Sequence, residues 1–349
     1  MRSTIPITLL AALLAAAPSF ASTAASDPVG FTRQTIHHGR QTLGLTLNHP
    51  IVVSATIVAS DSRAVLLDPA IGDISARLDS NAAYYAEIVG DTKNTFSGDR
   101  FDIDVEATRA SHDSLLFFKD ADHNSTAASF PPDALLGHRV VIRKHLTVAG
   151  VFGTRNSSVL QAGFRYEEAD SLLFFDRRAG GYAIYYLCRT ESGPAEWRKL
   201  GAVGSMNDTI IAPGTGLFVH RMSDASVDFV AHGAVRTNDF VLPLQAGYNL
   251  VSSPYPVTDT PASLQISSAN GFAAAKEAGQ ADQILVFNGD AYDSYFLESS
   301  ATSGDELWRR SGDNAGCLTT VELLSRDRSV FIKKIAADPD FIVHRSFPL

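Results

Sequence analysis

The sequence predicts an all-β protein: β-sandwich or barrel-like modules, with two similar C-terminal halves and little helix. Three observations carry this. First, short β-branched and aromatic runs recur at intervals of 8–15 residues with Gly, Pro, Asn and Asp between them. Second, helix start and stop signals are sparse. Third, a block recurs. Its first occurrence opens at Ala169-Asp170-Ser171-Leu172-Leu173-Phe174-Phe175, passes Glu196-Trp197-Arg198 and closes at Gly216-Leu217-Phe218-Val219. Its second opens at Ala281-Asp282-Gln283-Ile284-Leu285-Val286-Phe287, passes Leu307-Trp308-Arg309 and closes at Ser329-Val330-Phe331-Ile332. Asp170 and Asp282, Trp197 and Trp308, and Phe218 and Phe331 lie 112, 111 and 113 residues apart. A period that long is domain-sized, well beyond a propeller blade or solenoid repeat.

In chain order, Arg2, an apolar stretch over residues 5–17 and the small-x-small pattern Ser19-Phe20-Ala21 read as a secretory signal peptide, residues 1–21. The mature chain is expected to be exported to the periplasm, the cell surface or the extracellular space. Later stretches fall short of the roughly 18 apolar residues a spanning helix needs, so membrane insertion of the mature chain is not expected. With 29 Lys and Arg against 38 Asp and Glu, the formal charge is −9. That balance argues against nucleic acid and anionic membrane surfaces as partners. The two cysteines, Cys188 and Cys317, occupy non-equivalent places in the two blocks and leave a bridge and two separate thiols both open.

Residues 27–145 read as an N-terminal β-rich region, with strands expected over 28–36, 43–47, 51–57 and 83–90. Residues 99–106 alternate charged and apolar, which predicts a strand with Asp102, Asp104 and Glu106 facing water and Phe101, Ile103 and Val105 facing a core. Asp113-Ser114-Leu115-Leu116-Phe117-Phe118 repeats the hexapeptide that opens the first block, as a partial echo. Residues 146–240 form the first β module and 241–349 the second. Residues 172–175 and 284–287 are apolar on both faces, which predicts central strands between two layers. Thr260-Pro261 reads as a helix start, and 272–278 as two turns of helix stopped by Gly279.

These landmarks resemble an uncharacterised family of exported, β-rich bacterial proteins with a duplicated C-terminal block. The residues that carry the likeness are Asp27-Pro28-Val29-Gly30-Phe31, Leu45-Thr46-Leu47-Asn48-His49-Pro50, residues 137–145 leading to Gly150-Val151-Phe152-Gly153, and the recurring Ala-Asp … Trp-Arg … Phe-Val/Ile block. The resemblance implies a secreted or envelope protein and supplies no catalytic residues.

Candidate chemistry is thin. Asp120-Ala121-Asp122-His123-Asn124 has the alternate spacing that opens some calcium loops, so Asp120, Asp122 and Asn124 are candidate metal ligands; Ser125 replaces the expected glycine and Pro131 the acidic twelfth position. Trp197 with Arg198 and Trp308 with Arg309 are candidate ligand-binding pairs, because exposed aromatics on sheets stack on sugar rings while Arg bonds hydroxyls. The competing reading makes both tryptophans core anchors. His37 and His38 would point to opposite faces of a strand, and His138 and His145 lack a ligand at metal-binding spacing. No catalytic residue and no cofactor is assigned. The expectation is an exported, non-enzymatic β-protein of the cell envelope or extracellular space with a binding or structural role, its partner a glycan or an envelope protein. The alternative is a secreted hydrolase acting on polysaccharide through carboxylates that sequence does not pair.

Overall fold

The computed structural model describes residues 28–90, 96–119, 130–154, 159–191, 193–299, 306–313, 322–338 and 341–343. The signal-peptide segment 1–21, the candidate metal ligands Asp120, Asp122 and Asn124, and Cys317 lie outside the described residues. The described chain is mostly antiparallel strand with two short α-helices, so it is all-β.

The N-terminal region supplies a six-stranded sheet in the order Arg100–Asp102, Tyr84–Val89, Arg139–Lys144, Ile51–Asp61, Ala64–Leu67, Leu115–Phe117. Ile51–Asp61 is long enough to pair with Arg139–Lys144 through its first half and with Ala64–Leu67 through its second, with bulges at both ladders. Bulges bend a strand and increase its twist. The sheet therefore curls into a half-barrel, whose end strands are tied by the Ile103–Phe118 bridge. Alternate residues Tyr84, Ala86 and Ile88, with Val140 and Ile142, fill its concave side.

Two further sheets have five antiparallel strands each. One runs Glu196–Lys199, Gly181–Cys188, Ser171–Asp176, Leu217–Arg221, Gly39–Leu43. The other runs Glu306–Arg310, Tyr292–Ser299, Gln283–Phe287, Ser329–Lys334, Gly247–Ser252. Strand for strand the order is the same, except that the fifth strand of the first sheet comes from the N-terminal region. Each sheet buries one face on its own core: Leu172, Leu187, Trp197, Leu217 and Val219 in the first, Ile284, Leu297, Trp308, Val330 and Ile332 in the second. The opposite faces pack on each other through Leu173, Phe218, Leu250 and Phe331, with Phe175, Ile184, Leu285 and Phe287 around them. Ser171–Asp176 and Gln283–Phe287 thus lie between two apolar layers, which is why neither shows a polar face.

The contact between these sheets is pseudo-twofold. Phe175 meets Phe331 at 5.0 Å between ring centroids, and Phe218 meets Phe287 at 5.4 Å, both edge-on. Beyond its own sheet each fifth strand reaches the other block: Gly44 N donates to Asp327 O at 3.2 Å, and Ser252 N donates to Gly214 O at 2.9 Å. Gly216 sits where a Cβ would stand 2.8 Å from both Val251 N and Ser329 Cβ, so a side chain there would force the seam apart. The loops around Pro213-Gly214 and Ser325-Arg326 carry these two backbone acceptors.

Residues 99–106 depart from expectation. Phe101 and Ile103 do face the half-barrel core. The strand ends at Asp102, however, and Asp104 caps the helix Val105–Ser111 by accepting from Ala107 N. Arg100 and Asp102 are buried rather than solvated, because residues 236–241 cover that side of the sheet. The predicted helix over 272–278 is also absent: Phe272 plugs the second core, and a 3-10 turn forms only at Ala278–Gln280. At Thr260 the cap exists without a helix, its hydroxyl accepting from Ser263 N at 3.1 Å.

Candidate binding groove

The sequence-selected tryptophans are inside the cores. Trp197 is 0 % exposed and Trp308 3 %. Their indole N–H groups donate to equivalent carbonyls, Trp197 Nε1 to Gly153 O at 2.8 Å and Trp308 Nε1 to Ile266 O at 3.2 Å. With both faces enclosed and the polar atom satisfied, neither ring offers a stacking surface. The flanking arginines are occupied at the surface, Arg198 on Glu196 and Arg309 on Glu298. Among the described residues no group of three or more His, Cys, Asp or Glu could hold a metal. Cys188 is buried and carries no disulfide within the described chain.

The Ala-Asp landmark has a structural cause that spacing did not reveal. Asp170 is buried and accepts from Gln161 N at 2.8 Å, Met222 N at 2.8 Å and the Arg221 guanidinium at 2.9 Å. Asp282 does the same in the second block, accepting from Ala273 N at 2.8 Å, Ile335 N at 2.6 Å and Lys334 Nζ at 2.6 Å. Each carboxylate pins the entry of a central strand to the exit of its neighbour, which requires an acceptor with several lone pairs.

A polar junction joins the half-barrel to the rest of the chain. Tyr85, Glu87 and Arg143 project from the side of the sheet opposite its core, yet all are buried. Glu87 pairs with Arg236 and accepts from Asn238 Nδ2 at 2.9 Å. His145 Nε2 donates to Asp102 Oδ1 at 2.8 Å. The Phe240 ring lies under two guanidinium groups, Arg100 at 4.0 Å and Arg236 at 4.6 Å. Burial lowers the Arg100 pKa to about 10, opposed by Tyr85, Asp99 and Asp102. Desolvation offsets much of the attraction in buried pairs of this kind, while removing one partner alone is strongly destabilising. Neither Glu87, Asp102 nor His145 lines the groove described next.

That groove flanks a β-ribbon made by Val29–Ile36 and Val227–Val235, with the short strand Leu47–Asn48 as its third member. At one end Ile36 and Phe229 enter the first core. The ribbon's other face is exposed along its length: Val29 is 78 % exposed, Phe31 75 % and Val230, cross-strand from Arg33, 53 %. Together with Pro50, Leu146 and Val151 they line a groove of about 700 Å³, inside the usual range of roughly 300–1,000 Å³ for ligand sites. Gly233 lets the ribbon approach the third strand closely, since a Cβ there would stand 2.5 Å from Asn48 O. Polar contacts close one end, where Asp228 holds Arg33 and accepts from the Thr35 hydroxyl at 2.9 Å. His49 also lines the groove; burial, then the charge of Lys144, lowers its pKa.

Among the described residues the ribbon has an open edge. Val29–Ile36 is the outer strand of its sheet, and Val235 N donates to Pro28 O at 2.7 Å. That bond fixes the phase of the antiparallel ladder, so the backbone groups of Val29, Phe31 and Arg33 turn outward. The alternation of residues 29–36 was visible in the sequence; that its outward members are a valine and a phenylalanine was the signal for this site.

No protein-family model, curated protein or solved structure matches the chain.

Proposed function

We propose that the protein is an exported, non-enzymatic β-protein of the cell envelope or extracellular space, in which duplicated β modules and a half-barrel hold one binding edge in place. The edge takes an extended apolar segment of a partner protein by strand addition along Val29–Ile36, with alternate side chains of that segment in the groove. One observation carries this reading: Val29, Phe31 and Val230 are exposed together on a strand whose outward backbone groups at Val29, Phe31 and Arg33 pair with no strand among the described residues, while Thr35 O, farther along, accepts from Gln41 Nε2 at 3.1 Å. Natural edge strands are ordinarily blunted by proline, inward charge or a covering loop. Within this strand the single charge, Arg33, is engaged by Asp228. Strand addition supplies affinity from main-chain hydrogen bonds and selectivity from pockets for alternate side chains. The matched strand order and matched Asp and Trp contacts of the two five-stranded sheets support duplication of a scaffold unit rather than of a catalytic site.

The test is fluorescence anisotropy on the mature chain with a labelled heptapeptide alternating valine and threonine, beside the same peptide with a central proline. Binding of the first, loss with the second, and loss in Phe31→Asp with an unchanged melting temperature are expected. Equal binding of both peptides, or no change in Phe31→Asp, contradicts strand addition at this edge.

A further inference from the structure

A second cavity, of about 180 Å³, opens where the half-barrel meets the two five-stranded sheets. Its lining is mixed: Phe175, Leu242, Leu250 and Val251 supply apolar side chains, two guanidinium groups, Arg100 and Arg177, stand beside Thr215 and Asn249, and among the described residues no carboxylate lines it. Arg177 makes no ion pair among the described residues. It is instead held by a neutral acceptor, its NH1 donating to Asn249 Oδ1 at 2.9 Å. Asn249 is buried and fixed in turn, its Nδ2 donating to Gln245 O at 2.7 Å and Ile332 O at 3.2 Å. A neutral, rigid partner aims the guanidinium without neutralising it. Burial alone, with no opposing anion, lowers the Arg177 pKa. The scaffold does not require this arginine, because the matching position of the second block, 112 residues on, is Gly289.

We infer that this cleft binds a small organic monoanion with an apolar body, of the carboxylate class, with Arg177 forming the charge-assisted hydrogen bonds and Phe175, Leu242, Leu250 and Val251 receiving the body, a contact that a fully hydrated anion such as phosphate does not make. The site lies apart from the ribbon groove and shares no lining residue with it.

The experiment is ligand-observed NMR on the mature chain with benzoate, phenylacetate and 4-methylpentanoate, each beside its uncharged amide, and with inorganic phosphate as competitor. Amide shifts in a ¹⁵N-labelled sample locate the site. At least one acid is expected to bind at least about tenfold more tightly than its amide, to move the Thr215, Leu250 and Val251 resonances, and to resist displacement by phosphate. Arg177→Gln should weaken it at least about tenfold, Arg177→Lys should retain part of the affinity, and Arg178→Gln, on the adjacent turn outside the cleft, should leave it unchanged. Failure of every acid to bind below about 10 mM, equal binding of acid and amide, equal competition by phosphate, or an equal loss in Arg178→Gln overturns the assignment.

Discussion

Replacing Asp282 by alanine removes the acceptor that ties the second block together. Asp282 and Lys334 are both buried, 2.6 Å apart, and the same carboxylate accepts from Ala273 N and Ile335 N. Breaking a buried pair from one side destabilises by about 3–5 kcal/mol, since the remaining charge stays desolvated. Two backbone donors losing their acceptor would add about 1–3 kcal/mol each if nothing relaxed. Lys334 keeps other stabilising contacts: Gly271 O at 2.6 Å, the Phe272 ring at 3.9 Å and Asp338 at 3.7 Å. The expected loss for Asp282→Ala is therefore about 3–5 kcal/mol in total. Adding Lys334→Met should recover part of it, because the desolvated ammonium, left with Asp338 at 3.7 Å as its counter-charge, goes with it. Asp170→Ala removes the matching acceptor of the first block and should likewise cost about 3–5 kcal/mol. Urea unfolding reads both, since the chain has two tryptophans, one in each core. A Trp197→Phe background leaves Trp308 as the reporter of the second block, and Trp308→Phe the converse. A loss below about 1 kcal/mol for Asp282→Ala, or no recovery on adding Lys334→Met, refutes the reasoning.

Gly216→Ala should destabilise by about 1–3 kcal/mol, since its Cβ meets the backbone of Val251, while Gly181→Ala, with open space around it, should stay within about 0.5 kcal/mol by the same urea titration. His49 gives a pH dependence of definite sign. Its folded pKa is lowered by burial and by Lys144, so the unfolded chain binds the proton more readily. The stability it contributes is complete above the ordinary histidine value of about 6.5 and is lost as the pH falls through the lowered folded value. His49→Gln should flatten the decline in midpoint over that window, which amounts to at most about 1.4 kcal/mol per pH unit for one proton; an unchanged slope would show that another group is responsible.

The all-β class was legible because β-branched runs and turn residues are local signals. The recurring Asp and Trp were legible as landmarks because the same contacts hold them in both sheets. What local patterns do not encode is the covering of a second face. Asp102 reads as a solvated residue of an alternating strand, and is instead the buried partner of His145, 43 positions away in sequence. The hexapeptide shared by residues 113–118 and 170–175 makes the same point: Leu115–Phe117 is the last strand of the half-barrel, while Ser171–Asp176 is the middle strand of a five-stranded sheet. Identical residues take different places because their neighbours differ. The ribbon groove was missed for the opposite reason, since exposure of Val29 and Phe31 depends on which face of the ribbon the first core covers.

Hydrogen exchange at the outer edge of the ribbon tests the central claim most directly. On the free protein the Phe31 and Arg33 amides, which face outward, should exchange rapidly, and the Thr32 and Gln34 amides, paired with Val227–Val235, slowly. Saturation with the alternating valine–threonine peptide should protect Phe31 and Arg33 and leave Thr32 and Gln34 unchanged. Protection spread evenly over the ribbon, or none at Phe31 and Arg33 with the peptide bound, would contradict strand addition at this edge.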